Sequence, residues 1–415
     1  MKIAWLINLF PPYVVGGNEV LAQNVILELR ARGHEVYVLT GPGRNLPQAV
    51  YHLSPVNLDL DRMEERFLGT RSPSLYESVR WHIFDLKTYR ATTRTLNHLR
   101  PDLTIVDNFS LISAAPLLAA IRAKSKVVVQ ANDKWLIYGL RTPGQGLWHS
   151  PHRHKRVIAS LQFLAQPIFR RMTRRVPIIV NSHFLKGAYV QAGFEPERLH
   201  VIHLGIDVDT FQPNSRQKIQ LGSPIRLMYG SQLWAGKGAH IAIQALAELK
   251  KVAPEIAFVI DMYGAGAPEF KDYLIGLAAD LQVSESIHYC GFVPPAELAE
   301  AFHKHDIFLF TSIWDEPFSL TLLSAMSCGI PVISTSAGGN PEAIEHEQTG
   351  LLVPPGEPLA LAQAILKLVK DSSLRCRLSN QASATVRERW SFQRYVDTLE
   401  GKYQTCALDR DGRPI

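Results

Sequence analysis

Cysteine is scarce in this chain of 415 residues: Cys290, Cys328, Cys376 and Cys406 stand far apart, without metal-ligand spacing. That scarcity argues against a disulfide framework and a cysteine zinc site, and it suits a reducing, cytoplasmic setting. Long apolar runs are missing too, so no spanning helix is expected. The opening "MKIAWLINLFPPYVVGG" carries one lysine and an apolar run, but two prolines follow where a small-residue cleavage site belongs. It reads as a first strand rather than a signal peptide. No serine–histidine–aspartate spacing, zinc signature or Walker lysine motif points to hydrolytic, zinc or P-loop chemistry.

The most local absence is of negative charge. Residues 134–194 contain no Asp or Glu, yet they hold Lys134, Arg141, Arg153, Lys155, Arg156, Arg170, Arg171, Arg174, Arg175, Lys186 and four histidines. The whole chain is only +6, so the remainder is slightly acidic. Inside this block, "SPHRHKRVIASLQFLAQPIFRRMTRR" repeats Val157, Ile158, Leu161, Leu164, Ile168, Phe169 and Met172 at helical spacing, with arginine clusters at both ends. Two readings stand: residues 149–175 dock on anionic lipid headgroups or an anionic acceptor, or they form a solvated face packed on a sheet. Nucleic acid fits less well, because the arginines are not interleaved with stacking aromatics.

What is present is an ordinary globular composition, 46% hydrophobic and 20% charged, on a chain long enough for two domains. Short apolar runs alternate with helix-period segments. "KIAWLIN", "HEVYVLTG", "PDLTIVDN", "KVVVQAND" and "VPIIVNS" read as strands, and "NEVLAQNVILELRARG" as an amphipathic helix closed by Gly33. Strands apolar throughout, alternating with helices, predict an α/β protein with a parallel sheet covered on both faces. The pattern lapses in "GIDVDTFQPNSRQKIQLGSP" and restarts with "IRLMYG", "IAFVIDMYG", "SIHYCGF", "DIFLFTS" and "PVISTS". The expected organisation is a domain over 1–206, a linker over 207–222, a second domain over 223–390, a helix over 391–404 and a loose tail over 405–415.

Several local features admit a ligand and a plain structural role at once. Gly16 and Gly17 follow the first strand, where open α/β sheets collect ligands and bare backbone lets a diphosphate approach a helix N-terminus; a tight turn explains them equally well. Gly264 and Gly266 hold a similar place, as a weak Gly-x-Gly fragment. Lys237, just before an evident helix, either neutralises phosphate or caps a loop in solvent. The triplets Asp59-Leu60-Asp61 and Asp207-Val208-Asp209 lie in polar stretches rather than at the end of a buried strand, so neither is expected to bind metal. Pro317 suits a first helical turn and Gly329 a helix end, so "EPFSLTLLSAMSCG" is expected to form one helix from its start.

Four segments together resemble glycosyltransferase family 4: "PPYVVGGNEVLAQNVILELRARGHEVYVLTG", "VNSHFLKGAYVQAGFEPERLHVIHLGIDVDTFQP", "LWAGKGAHIAIQAL" and "DEPFSLTLLSAMSCGIPVISTSAGGNPEAIEHEQTGLLVPPGE". The resemblance runs in order from residue 1 to about residue 400, and the last segment is the most specific. It implies the GT-B architecture, two Rossmann-like domains with parallel sheets facing across a cleft, and retaining sugar transfer from a nucleotide-diphosphate sugar. It implies no metal and no cofactor beyond that co-substrate, with an acceptor that is a glycan, a lipid-linked glycan or a small molecule. A cytoplasmic protein, peripheral at the inner face of a membrane, follows from the resemblance taken with the basic block. "SFQRYVDTLEGKYQ" would be the closing helix that crosses back towards the N-domain.

Carried over residue by residue, Glu316 matches the acid that holds the donor sugar's hydroxyls, and Lys237 the diphosphate lysine. Phe318, Ser319 and Leu320 match the helix-start segment facing sugar and phosphate. Gly16 and Gly17 match the N-domain loop beside the phosphates, and Gly338, Gly339 and Glu342 a segment after the next strand. Base selectivity would lie near "CGFVPPAEL", around Val293. Asp133 and Trp135 fit the family pattern, with Asp133 and Asn132 near the reacting sugar. Three positions depart from it: Asn132 replaces a histidine, Gln232 an arginine and Ser324 the acid that grips the nucleotide ribose. Losing a phosphate-binding arginine costs about 1.5–3 kcal/mol, and exchanging the ribose carboxylate for a hydroxyl about another 1–3 kcal/mol. The expected activity is therefore a metal-independent, retaining hexosyl transfer. The alternative is a glycosyltransferase-like binding or regulatory protein with weakened donor affinity.

Overall fold

The structure, a computed structural model, describes residues 1–11, 16–41, 50–52, 75, 79, 84–108, 113–123, 125–140, 155–214 and 221–408. The chain divides into two compact units, Met1–Ile202 with Val396–Ile415, and His203–Tyr395. Residues 207–214, expected in a linker, thus belong to the second unit. Asp207 builds a turn there, its carboxylate accepting from the backbone N–H groups of Asp209 (3.0 Å) and Thr210 (3.2 Å). Turn chemistry, which a sequence cannot tell from a linker, explains the difference. It also accounts for the Asp207-Val208-Asp209 triplet; the triplet at 59–61 lies outside the described residues.

The first unit holds a seven-stranded parallel sheet in the order β3-β2-β1-β4-β5-β6-β7. Its strands are β1 (Lys2–Ile7), β2 (Glu35–Thr40), β3 (Val50–His52), β4 (Leu103–Val106), β5 (Lys126–Ala131), β6 (Ile178–Val180) and β7 (Leu199–Val201). The central strand β1 pairs with β2 and β4 and is buried from Ile3 to Ile7, as expected of a strand covered on both faces. The helix Gly17–Ala31 buries Leu21, Ala22, Val25, Ile26 and Leu29, a 3.6-residue spacing that turns one stripe inward. Leu21, Val25, Ile26 and Leu29 each contribute about 1.5–3 kcal/mol by leaving water, and the smaller Ala22 less.

The second unit holds a six-stranded parallel sheet in the order β10-β9-β8-β11-β12-β13. Its strands are β8 (Ile225–Gly230), β9 (Phe258–Tyr263), β10 (Ile287–Gly291), β11 (Ile307–Phe310), β12 (Val332–Thr335) and β13 (Leu351–Val353). Counted within the unit, this is the 3-2-1-4-5-6 order of a dinucleotide-binding sheet. In both sheets the strand order reverses beside the first strand, between β1 and β4 and between β8 and β11. Crevices form at the carboxyl ends of strands at such points, so each unit has one position where a ligand belongs.

The last helix, Phe392–Ala407, begins among residues of the second unit and ends in the first. It runs through 405–407, which were expected in a loose tail; residues 409–415 lie outside the description. Its Tyr403 donates to Gln130 Oε1 at 2.5 Å and meets the Trp5 ring edge-on, while Glu400 pairs with Arg32 and His34 at 2.8 Å. Buried Tyr403 and Leu399 and these ion pairs explain why helix persists where sequence alone suggests fraying.

Candidate active site

The second unit's reversal point is made by two loops clamped to each other. The carbonyl of Gly236, after β8, accepts from the backbone N–H groups of Ile313 (2.8 Å) and Trp314 (2.9 Å) and from the Ser312 hydroxyl (3.2 Å). The Tyr229 hydroxyl reaches the carbonyls of Gln232 (3.2 Å) and Lys237 (3.3 Å), and Thr311 Oγ1 donates to Gly238 O at 2.8 Å. These bonds fix Lys237 against Glu316: Lys237 Nζ donates to Glu316 Oε1 in an ion pair whose side chains are 17% and 8% exposed. Ser312 Oγ donates to the same carboxylate oxygen at 2.9 Å. Glu316 Oε2 has no protein partner among the described residues, and an ammonium carries three donors, so the pair retains capacity for a ligand.

The glycines after β12 hold Glu316 from behind. Gly338 has φ +59°, and a Cβ there would lie 2.3 Å from Glu316 O; one on Gly339 would lie 2.0 Å from Pro317 O. Gly339 N–H donates to Glu316 O at 2.6 Å. Glu342, grouped with them by sequence, instead meets His203 Nε2 at 2.9 Å. Gly264 also has a structural explanation: with φ +147°, it lets its loop press within 1.8 Å of Ser231 O at the Cβ position. No ligand is needed to account for its lack of a side chain.

The helix expected to start at Pro317 starts three residues later, as Leu320–Ser327. Ser319 is its N-cap, accepting from Leu322 N–H at 3.2 Å, because a hydroxyl on an extended residue satisfies an orphan donor better than a proline can begin the turn. Glu316 therefore sits on the loop ahead of the helix, and Ser319 and Leu320 form its first turn. Phe318 is buried against His203 (4.9 Å between ring centroids) and Trp390 (5.8 Å) and serves packing. Ser324 is buried one turn on, five residues past the N-cap and so about 7.5 Å along the axis. Gly329 ends the helix with φ +70°. Gln232 is exposed beside the Lys237 loop, and Val293 is half-buried after β10.

The first unit's reversal point is different in kind. Residues 12–15 lie outside the described residues. Gly16 caps the helix Gly17–Ala31, its N–H donating to the buried Glu19 carboxylate at 2.9 Å, and Gly16 and Gly17 are both exposed. Asp107, at the end of β4, is fully buried and accepts from Trp5 Nε1 (3.3 Å), Asn18 Nδ2 (3.3 Å) and its neighbour Asn108 N–H (2.7 Å). Asn18 Oδ1 in turn accepts from Asn132 Nδ2 at 2.7 Å, and Asn181 Nδ2 donates to Asn132 O at 3.0 Å. Asp133 accepts from Trp135 N–H at 2.7 Å. Burial pushes the Asp107 carboxyl up to about 7 and the Asp133 carboxyl up to about 6, partly offset by these donors. Asn132 is thus a tethered amide, held by a chain of contacts leading back to Asp107.

Asp107, Asn18, Asn108, Glu19 and Ser312 were not singled out by sequence. Asp107 and Ser312 share a signal: a polar residue one or two positions after an apolar strand that borders the reversal point. Among the described residues, no three His, Cys, Asp or Glu side chains converge as metal ligands.

Two Rossmann-like units with these sheet orders define the GT-B fold. HepE (Alr3699) from Anabaena, solved in complex with UDP, matches over 98% of this chain and 100% of its own, with a TM-score of 0.71 at 21% identity. The profile of "Glycosyltransferase Family 4" matches residues 15–210, and that of "Glycosyl transferases group 1" matches residues 211–385. The chain belongs to glycosyltransferase family 4. Among curated relatives, the D-inositol 3-phosphate glycosyltransferase of Corynebacterium jeikeium is 33% identical over 218 residues, 50% of this chain and 51% of that protein. The amylovoran biosynthesis glycosyltransferase AmsK of Erwinia amylovora is 30% identical over 184 residues, 43% of this chain and 44% of that protein. The chain spans about half the length of the curated relatives it matches.

Proposed function

We propose that this chain is a glycosyltransferase that moves a sugar from a nucleotide-diphosphate donor to a glycan, lipid-linked glycan or small acceptor, with retention and without a metal. The observation that carries the reading is the Lys237–Glu316 pair at the reversal point of the second sheet, ahead of a Ser319-capped helix. A carboxylate there suits sugar hydroxyls. An ammonium and a helix N-terminus suit the charge that grows on a departing diphosphate. The bond from the anomeric carbon to the diphosphate oxygen breaks while the acceptor oxygen bonds on the same face, and the leaving phosphate takes the acceptor's proton. HepE, of like fold, has been solved with UDP and with UDP-glucose, which supports a nucleotide-sugar donor. AmsK supports a setting in polysaccharide assembly.

A second reading, a binding protein without turnover, is favoured by one feature: Gln232 stands exposed where a second cation would face phosphate. Calorimetry against a panel of nucleotide-diphosphate sugars, followed by turnover assays with and without a chelator, separates the two. The expected result is donor binding, chelator-resistant release of nucleotide diphosphate, and a product that keeps the donor's anomeric configuration. Binding with no turnover across a broad acceptor panel leaves the second reading standing; no binding at all removes both.

A further inference from the structure

Two tryptophans flank the Lys237–Glu316 pair and have no part in the transfer reading. Trp234 precedes Lys237 on one loop, and Trp314 precedes Glu316 on the other. Each is tied to its member of the pair through backbone: Trp234 O accepts from Lys237 N–H at 3.0 Å, and Trp314 O from Glu316 N–H at 2.8 Å. Their rings meet at 5.6 Å between centroids with 65° between planes. Trp234 is 38% exposed and Trp314 39%, whereas Trp5 and Trp390 are buried and Trp135 is partly so. An indole left in water forgoes a large apolar burial, so two exposed together need a reason.

The rings are seated rather than loose. Trp234 lies against bare backbone, since a Cβ on Gly236 would come within 2.1 Å of its ring. The carbonyl of the same glycine takes the Trp314 N–H at 2.9 Å, so one residue joins the two loops that carry the indoles. Mutual packing accounts for a single contact between the rings and leaves much of both in water. Gln232 and Asp315 are exposed on the same two loops, so an amide and a carboxylate accompany the aromatic surface.

We infer that Trp234 and Trp314 form a stacking platform for a pyranose ring of a saccharide acceptor. Giving the ring to the acceptor rests on the transfer reading; the platform itself does not. The C–H groups on one face of a pyranose carry partial positive charge and meet the negative face of an indole. Its hydroxyls can pair with an amide and a carboxylate. A nucleobase would stack as readily, so position decides between them. Base contacts are expected after β10, which β9 separates from β8, about 10 Å across the sheet. Glu316 is buried while the tryptophans are open to water, so the donor's sugar takes the inner place and the platform the outer one. Gln232 also gains a use, because an uncharged amide suits hydroxyls where a cation would suit phosphate.

The test is titration of the full chain, with no donor present, against short gluco-, galacto- and manno-oligosaccharides. Calorimetry gives affinity, and saturation transfer from the protein shows which sugar protons touch it. Binding is expected, with transfer strongest at the C–H protons of one ring face. Trp234→Ala and Trp314→Ala should each weaken it about ten-fold, and Trp314→Phe about three-fold. Both side chains are exposed, so unchanged melting curves will show that the variants fold. No saccharide binding, or binding indifferent to the tryptophans, overturns the proposal. So does an equal loss of affinity for free nucleotide diphosphate titrated in parallel, which would put a base on the rings. In turnover assays Trp314→Ala should raise the saccharide KM about ten-fold with a smaller change in kcat. Tryptophan-dependent saccharide binding without turnover sustains the platform and removes only the transfer reading. Turnover with an unchanged saccharide KM does the reverse.

Discussion

The two reversal points share a topology and differ in how each handles a buried acid. At the β8/β11 point Glu316 is matched by Lys237 and stays within an ion pair. At the β1/β4 point Asp107 and Asp133 take hydrogen bonds from indole, amide and backbone donors, and burial raises both carboxyls towards neutrality. A matched pair presents fixed charge, which suits a diphosphate. A cluster of amides and weakly acidic carboxyls presents donors and acceptors with little charge, which suits hydroxyl groups. Similar backbones thus carry different chemistry, set by one or two residues after each strand.

Removing the match at the second point should have the largest effect. Glu316→Ala leaves Lys237, whose side chain is 17% exposed, with no counter-charge, so a loss of up to about 3 kcal/mol in stability is expected. Transfer should fall at least about a thousandfold, because the proposed sugar-side contact goes with it. Glu316→Gln keeps the shape and separates folding from chemistry. Urea unfolding and donor turnover on both variants are the measurements. Near-normal turnover in a folded Glu316→Gln protein would remove Glu316 from the site.

The first point should respond to pH instead. Asp107 ionises near 3.8 in an unfolded chain and near 7 when folded. The protonated form therefore favours folding, and its contribution is full below about pH 4 and lost as pH climbs through 7. Asp133 acts in the same direction up to about pH 6. Asp107→Asn should shrink the drop in unfolding free energy between pH 4 and pH 7.5 by on the order of 2–4 kcal/mol. It should also loosen Asn18 and, through it, Asn132. An unchanged pH dependence of urea unfolding would show that Asp107 is not the titrating group.

The contrast between these points was only half legible in the sequence. Glu316 and Lys237 stand in segments whose family pattern is specific, so they were named. Asp107 sits in "PDLTIVDN", whose apolar strand is evident, while the importance of the residue that follows it depends on which strands become neighbours. The strands β3, β7 and β13 are likewise not evident in the sequence. Each is three residues long and lies at a sheet edge, too short to show periodicity. The start of the helix Leu320–Ser327 was misplaced because Pro317 offered a plausible first turn, while the packing of Gly338 and Gly339 that holds Glu316 outside the helix is a tertiary fact.

The smallest expected effect tests the ribose contact proposed for the second point. Ser324 lies about 7.5 Å along the helix from the Ser319 cap and is buried there. A hydroxyl at that place offers one acceptor to a ribose diol, whereas a carboxylate offers two oxygens. Ser324→Glu should therefore tighten nucleotide-diphosphate binding about ten-fold, close to 1.4 kcal/mol. The gain is bounded because a longer acid must leave its buried position to reach solvent or ligand, and an unpaired carboxylate there is costly. Calorimetry with the free nucleotide diphosphate isolates this end from sugar contacts, and melting without ligand shows what the burial costs. Tighter binding beside a lower melting temperature is the expected pair of results. Unchanged affinity in a folded variant would place the ribose away from residue 324 and leave the Lys237–Glu316 pair as the second unit's main hold on the donor.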